Sequence, residues 1–241
     1  MNKIITTVLV LATGILYGQS FEGTLVYKVG YEFRISDKMT KMGVTEQAVK
    51  ERMKKDGTWT DSIKTSYKQG DYITYTNFTP KSWSVYKQSA NKLYTFQDGE
   101  GSDICTVTDV SVDLEAQATG VKPTVEKLDT LVEVNAMKCE VVRVKWKAGT
   151  YDYYYNSTFL KVDPKLFEGH VYDGLAEFLK ISNSLPIRMV KSTKGLANVT
   201  LTLSRHSQET VDPKLFELPK LVPDKDMVKV GNMEFMKIRR K

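Results

Sequence analysis

The chain has 241 residues, of which 41% are hydrophobic and 27% charged, with a formal net charge of +6 at pH 7. This length fits one β-rich domain with a sizeable core. The basic excess is spread along the chain, with a dense cluster only at Lys237, Arg239, Arg240 and Lys241, and that tail reads as a solvated end rather than a nucleic-acid arm.

Residues 1–18 read as a secretory signal peptide: Lys3 precedes an apolar run over 4–16 that is too short to span a bilayer, and Gly18 supplies a small-residue exit. No cysteine stands at that exit, which disfavours a lipid anchor. The remainder, 19–241, is expected to be a single exported domain, periplasmic or secreted, with a short basic C-terminal tail. No later stretch approaches the about 18 apolar residues of a membrane helix, so no transmembrane segment is expected in it.

Over 21–35 the residues Leu25, Tyr27, Val29, Tyr31, Phe33 and Ile35 alternate with Thr24, Lys28, Glu32 and Arg34. Period two over this length predicts a long antiparallel strand with one solvated side and an aliphatic and aromatic inner face. Residues 37–56 place Met39, Met42, Val49 and Met53 on a narrow stripe between Asp37, a helix-starting residue, and Gly57, a stop, so an amphipathic helix is expected there. Such a stripe is commonly core packing, and it is also how adaptable binding surfaces are built.

From residue 58 short β-rich runs follow one another at 63–68, 72–78, 82–88, 92–97 and 104–110, separated by short polar breaks. That pattern predicts a meander in which each strand pairs with its predecessor. The break at 98–103 holds three carboxylates among glycines, but the spacing fails the calcium-loop pattern, so a turn and no metal is expected. Residues 111–123 read as an irregular loop. Strands are expected at 125–134 and 139–147, the second with Val142, Val144 and Trp146 opposite Arg143, Lys145 and Lys147. Four tyrosines then fall within 151–155, a composition that suits both a half-buried strand and ligand contact.

Residues 162–179 predict the cover for the sheet. Asp163-Pro164 is a cap followed by proline at the first helical position, and Phe167, Val171, Leu175, Phe178 and Leu179 make a wide apolar face. Gly169 and Gly174 each weaken that helix by about 1 kcal/mol relative to alanine, so it depends on packing. The heptapeptide Val-Asp-Pro-Lys-Leu-Phe-Glu that opens it recurs at 211–217. Strands after Leu185-Pro186 and over 199–203 complete the reading. The two cysteines, Cys105 and Cys139, are expected to pair in an oxidising compartment, the alternative being two buried thiols.

The signal peptide, the opening Phe-Glu-Gly-Thr-Leu-Val-Tyr at 21–27, Met-Lys-Cys-Glu-Val at 137–141, the tyrosine-rich strand, Leu-Pro-Ile-Arg at 185–188 and Val-Asp-Pro-Lys-Leu-Phe-Glu-Leu-Pro at 211–219 together resemble exported GLPGLI-type proteins with a lipoprotein-localisation (LolA/LolB-like) fold. The resemblance implies a mainly β domain: a strongly curved antiparallel sheet forming an incomplete barrel, helices on its concave side, and an apolar cavity between them that takes acyl chains in the carriers. The sequence departs from the family motif at Ser184, where the glycine before Leu-Pro is absent. Fold transfers from such a likeness better than function does.

These readings converge on a non-catalytic, monomeric binding protein that holds a lipid or other apolar molecule and needs no cofactor. Tyr27, Tyr31, Phe33, Met42, Phe167, Val171, Leu175 and Phe178 are the expected ligand-binding residues. The competing reading is an envelope protein with a filled core that binds a protein partner. An enzyme is disfavoured because His170 and His206 stand apart from any acid–base partner in the sequence, and no nucleophile or phosphate-loop motif occurs.

Overall fold

A computed structural model describes residues 20–77, 82–97, 103–193, 197–224 and 226–239. The expected signal peptide, most of the 98–103 loop, and Arg240 and Lys241 of the basic tail lie outside the described residues.

The strands are β1 (Gly23–Phe33), β2 (Ser62–Lys68), β3 (Asp71–Thr76), β4 (Ser82–Lys87), β5 (Lys92–Gln97), β6 (Ile104–Asp109), β7 (Thr124–Val134), β8 (Met137–Lys145), β9 (Gly149–Tyr155), β10 (Arg188–Thr193), β11 (Ala197–Ser207), β12 (Leu221–Pro223) and β13 (Met233–Ile238). The helices are α1 (Asp37–Lys41), α2 (Glu46–Lys55), α3 (Leu114–Thr119) and α4 (Leu175–Ser182). All strands join one open, 13-stranded antiparallel sheet ordered β12-β13-β6-β5-β4-β3-β2-β1-β11-β10-β9-β8-β7. The expected mainly β class, with an unclosed sheet and few helices, is the observed one.

The opening strand β1 lies inside the sheet, between two meanders. On one side β2 to β6 follow in sequence order; on the other β11 runs back to β7. The join is non-local, pairing Leu25 with His206 and Val29 with Leu201. Eight consecutive strands of this order, β5 to β9, contribute side chains to one cavity. Laid flat, eight strands at about 4.8 Å spacing would span roughly 34 Å, so the sheet must curl around that cavity.

Side-chain alternation sends β3 and β4 to two cores. Tyr86 joins the inner one with Tyr27, Val144, Tyr153 and Phe178. Ile73 and Val85 join an outer one with Phe96, Cys105 and Val107, closed by Val211 and Phe216. The repeated heptapeptide therefore serves opposite faces: its first copy places Phe167 against Tyr86 inside, with ring centroids 6.2 Å apart, and its second places Phe216 outside.

Several expectations are corrected. Cys105 and Cys139 are free thiols, one in each core, on strands nine places apart in the sheet order, so no disulfide joins them. The expected helix over 37–56 is two helices broken at Gly43 (φ +79°), capped by Ser36 and Thr45; neither buries a residue, so they do not cover the sheet. The loop over 111–123 contains α3, started by the Asp113 side chain and ended at Gly120 (φ +69°). Two further strands follow the one expected to be last. The basic tail is partly structural, since Met233–Ile238 pairs with β6 and Lys237 lies 3.1 Å from both Asp224 and Asp226.

Candidate functional site

The segment over the concave face is a loop closed at its neck. Leu185 N–H donates to Leu160 C=O (3.0 Å) and Val162 N–H to Asn183 C=O (3.0 Å), while Phe21 N–H from the start of the domain holds Lys161 C=O (2.7 Å). Within it Asp163 Oδ1 accepts from Lys165 N–H at 3.0 Å, as expected of a cap, and starts a short 3-10 turn, Pro164–Phe167. The single helix expected over 162–179 does not follow. Val171 and Tyr172 both donate their N–H groups to Val110 C=O (2.9 and 3.1 Å), and Asp173 (φ +57°) and Gly174 (φ +69°) turn left-handed. Helix α4 starts only beyond them, burying Ala176, Phe178, Leu179 and Ser182. A Cβ on Gly174 would lie 2.7 Å from Val144 Cγ1, so close approach to β8 and positive φ both require glycine there.

Between this loop and the sheet lies a cavity of about 280 Å³. Tyr67, Tyr72, Tyr153 and Tyr172 make its aromatic part; Ile63, Leu93, Leu175, Leu185, Met189 and Leu201 its aliphatic part. Thr65, Thr74 and Ser84 supply hydroxyls. Tyr27 donates to Pro186 C=O at 2.7 Å, and Tyr153 donates to Asp173 C=O, so the tyrosines brace the cover as well as lining the space.

Besides the tyrosines, Asp173, Lys191 and His170 are the ionisable side chains that reach the cavity. Asp173 and Lys191 form an ion pair at 2.6 Å, both partly buried. Burial is the largest single influence and works against the Lys191 ammonium, but the charge and hydrogen bond of Asp173 together with Tyr151 and Tyr172 outweigh it, and the pKa ends above the usual lysine value. The ammonium also sits 4.6 Å above the Tyr151 ring. His170 Nε2 is 2.8 Å from the Tyr72 hydroxyl, and its Nδ1 is buried without a hydrogen-bond partner among the described residues. Burial pushes the His170 pKa down to about 4 and raises that of Tyr72 well above the usual phenol value. At neutral pH the imidazole and the phenol are uncharged, and the Asp173 and Lys191 charges oppose each other. Among the described residues no group of three His, Cys, Asp or Glu side chains converges to hold a metal ion.

Of the eight expected ligand-binding residues, Tyr27 and Leu175 line the cavity. Phe167 and Phe178 are packed core: Phe178 is fully buried, its ring 4.5 Å from that of Tyr153. Val171 is partly buried and tied through its backbone to Val110. Tyr31 and Phe33 lie where β1 outruns the cavity, Tyr31 stacking on Trp59 at 4.4 Å. Met42 is 72% exposed on the turn between α1 and α2. Sequence reasoning reached Tyr153 only as one of the 151–155 tyrosines and missed Tyr72, His170, Asp173, Lys191 and the hydroxyls. For Asp173 the local hint is the Asp173-Gly174 dipeptide, a turn signal inside an apparent helix.

No family model matches the chain, and no curated protein matches it. Among solved structures it is similar to PNGF-II, with a TM-score of 0.40 and 9% identity, over 80% of this chain and 29% of that one. The chain thus spans under a third of PNGF-II, and so distant a likeness carries no functional argument. No helix among the described residues is long and apolar enough to cross a membrane.

Proposed function

We propose that the protein is an exported, periplasmic or secreted, non-catalytic binding protein that holds one small apolar molecule between its curved sheet and the 162–184 loop. The observation that carries this reading is the cavity of about 280 Å³, walled by eight strands and the loop and dominated by aromatic and aliphatic side chains. That volume lies just below the usual range for ligand pockets, about 300–1,000 Å³, and suits one short chain or a compact ring system. The non-catalytic side is supported by His170 and Tyr72, a base and an acid that both resist changing protonation near pH 7.

Native mass spectrometry of protein purified without denaturation tests the reading. The expected spectrum carries a single small-molecule adduct that disappears after unfolding and refolding, and that is lost or markedly reduced in Leu201→Trp, whose larger ring intrudes into the cavity. A bare mass throughout, or an adduct indifferent to Leu201→Trp, would overturn it.

A further inference from the structure

The inner face of the β2–β6 half is banded. One row across it is aromatic and aliphatic: Tyr67, Tyr72, Tyr86 and Leu93 are successive register partners. The next inner-facing row is made of hydroxyls. Thr65 pairs with Thr74, Thr74 with Ser84, Ser84 with Thr95 and Thr95 with Thr106, one residue from each of five adjacent strands. Thr65 Oγ1 and Thr74 Oγ1 are 3.0 Å apart, and Ser84 Oγ and Thr95 Oγ1 2.9 Å apart. A hydroxyl has one donor and two lone pairs, so each paired member keeps hydrogen-bonding capacity for a ligand. At about 4.8 Å per strand the row runs roughly 19 Å, from the cavity wall at Thr65, Thr74 and Ser84 out along the sheet.

The charges at the cavity do not favour an ion of either sign. The Lys191 ammonium is occupied by Asp173 at 2.6 Å. An anionic ligand would have to displace that carboxylate, and a cationic one the ammonium; each exchange leaves a partly buried charge without its partner, which is costly.

Resting on the reading of this cavity as a ligand site, we infer that the ligand is an uncharged amphiphile. Its apolar part lies against Leu175, Met189 and Leu201, and its hydroxyl-bearing head along the row from Thr65 to Thr106.

Calorimetric titration of the mature protein with three single-tailed probes of equal chain length, below their micelle concentrations, tests this: octyl glucoside, octyl sulfate and octyltrimethylammonium. Octyl glucoside is expected to bind at least fivefold more tightly than either ion. The near-isosteric Thr74→Val/Ser84→Ala variant, its fold checked by thermal melting, should lose most of that preference. Asp173→Asn should invert the order in favour of octyl sulfate by freeing the Lys191 ammonium, a gain that a merely misfolded variant would not give. Equal binding of all three probes, or a preference that survives the double variant, overturns the inference while leaving the apolar site standing. Failure of all three to bind overturns the inference, and together with a bare native mass it overturns the site as well.

Discussion

His170 is 3% exposed, set between Tyr72 and Tyr86, 2.8 Å from the Tyr72 hydroxyl, and feels the charge of Asp173. Its folded pKa of about 4 lies below the roughly 6.5 of an unfolded histidine. Above pH 6.5 both states are neutral and the residue gives no pH dependence. Between 6.5 and 4 the unfolded chain takes up a proton that the folded one refuses, so stability falls by about 3 kcal/mol as pH drops across that window. Urea unfolding at pH 7 and pH 4.5 should show about 2.5 kcal/mol of this loss, and His170→Gln should remove most of it; the difference between the two proteins separates it from the carboxylates. Gly174→Ala is a second test at this scale. Positive φ and the 2.7 Å approach to Val144 act together, and a loss of about 2–4 kcal/mol is expected in the same assay.

At the scale of elements, the strands were legible because period-two alternation is local: β1, β5 and β9 fall within two residues of where their patterns place them. The cover was half legible. Its Asp163-Pro164 start and apolar spacing are present, yet the helix is interrupted because Val110 C=O takes two N–H groups that a continuous helix would have kept, a tertiary contact no local pattern contains. Strands β12 and β13 were missed for related reasons. One is three residues long and ends in Pro223; the other carries Lys237, which reads as tail until Asp224 and Asp226 are found beside it. The paired heptapeptides give the prediction here. Phe167→Ala and Phe216→Ala remove rings from opposite faces of the same strands, and each should lower stability by about 3–5 kcal/mol. Because the two cores are separate, the double variant should be close to additive in denaturant titrations.

The whole molecule is organised by pairings far apart in sequence. The two meanders could be read from hairpin signals, whereas the β1–β11 seam that joins them could not, because Leu25 and His206 share no local pattern. The cavity was hidden for the same reason: its wall draws one to three residues from each of eight strands. The fate of the cysteines also belongs to this scale. With Cys105 in the outer core and Cys139 in the inner, both thiols should resist a thiol-specific reagent in the native protein, titrate fully once it is unfolded, and leave the melting temperature unmoved by reductant. Burial pushes the Cys105 thiol up to about 12, which suppresses the reactive thiolate further.

The clamping of β3 and β4 from both faces has a consequence for how the molecule opens. These strands carry Tyr72 and Tyr86 beneath Phe167 on one side, and Ile73 and Val85 beneath Phe216 on the other. The turn between them and β2 is crowded as well, since a Cβ on Gly70 would lie 3.2 Å from Leu166 Cβ. Amides shielded on two faces exchange through the largest unfolding events, so those of β3 and β4 should be the last to take up deuterium. The far wall at β9 and β10 and the left-handed turn at Asp173 and Gly174 have no such double cover, and should exchange earlier. Solvent, and with it any guest molecule, would then enter past Asp173 and Lys191 while Tyr72 and Tyr86 on β3 and β4 stand still.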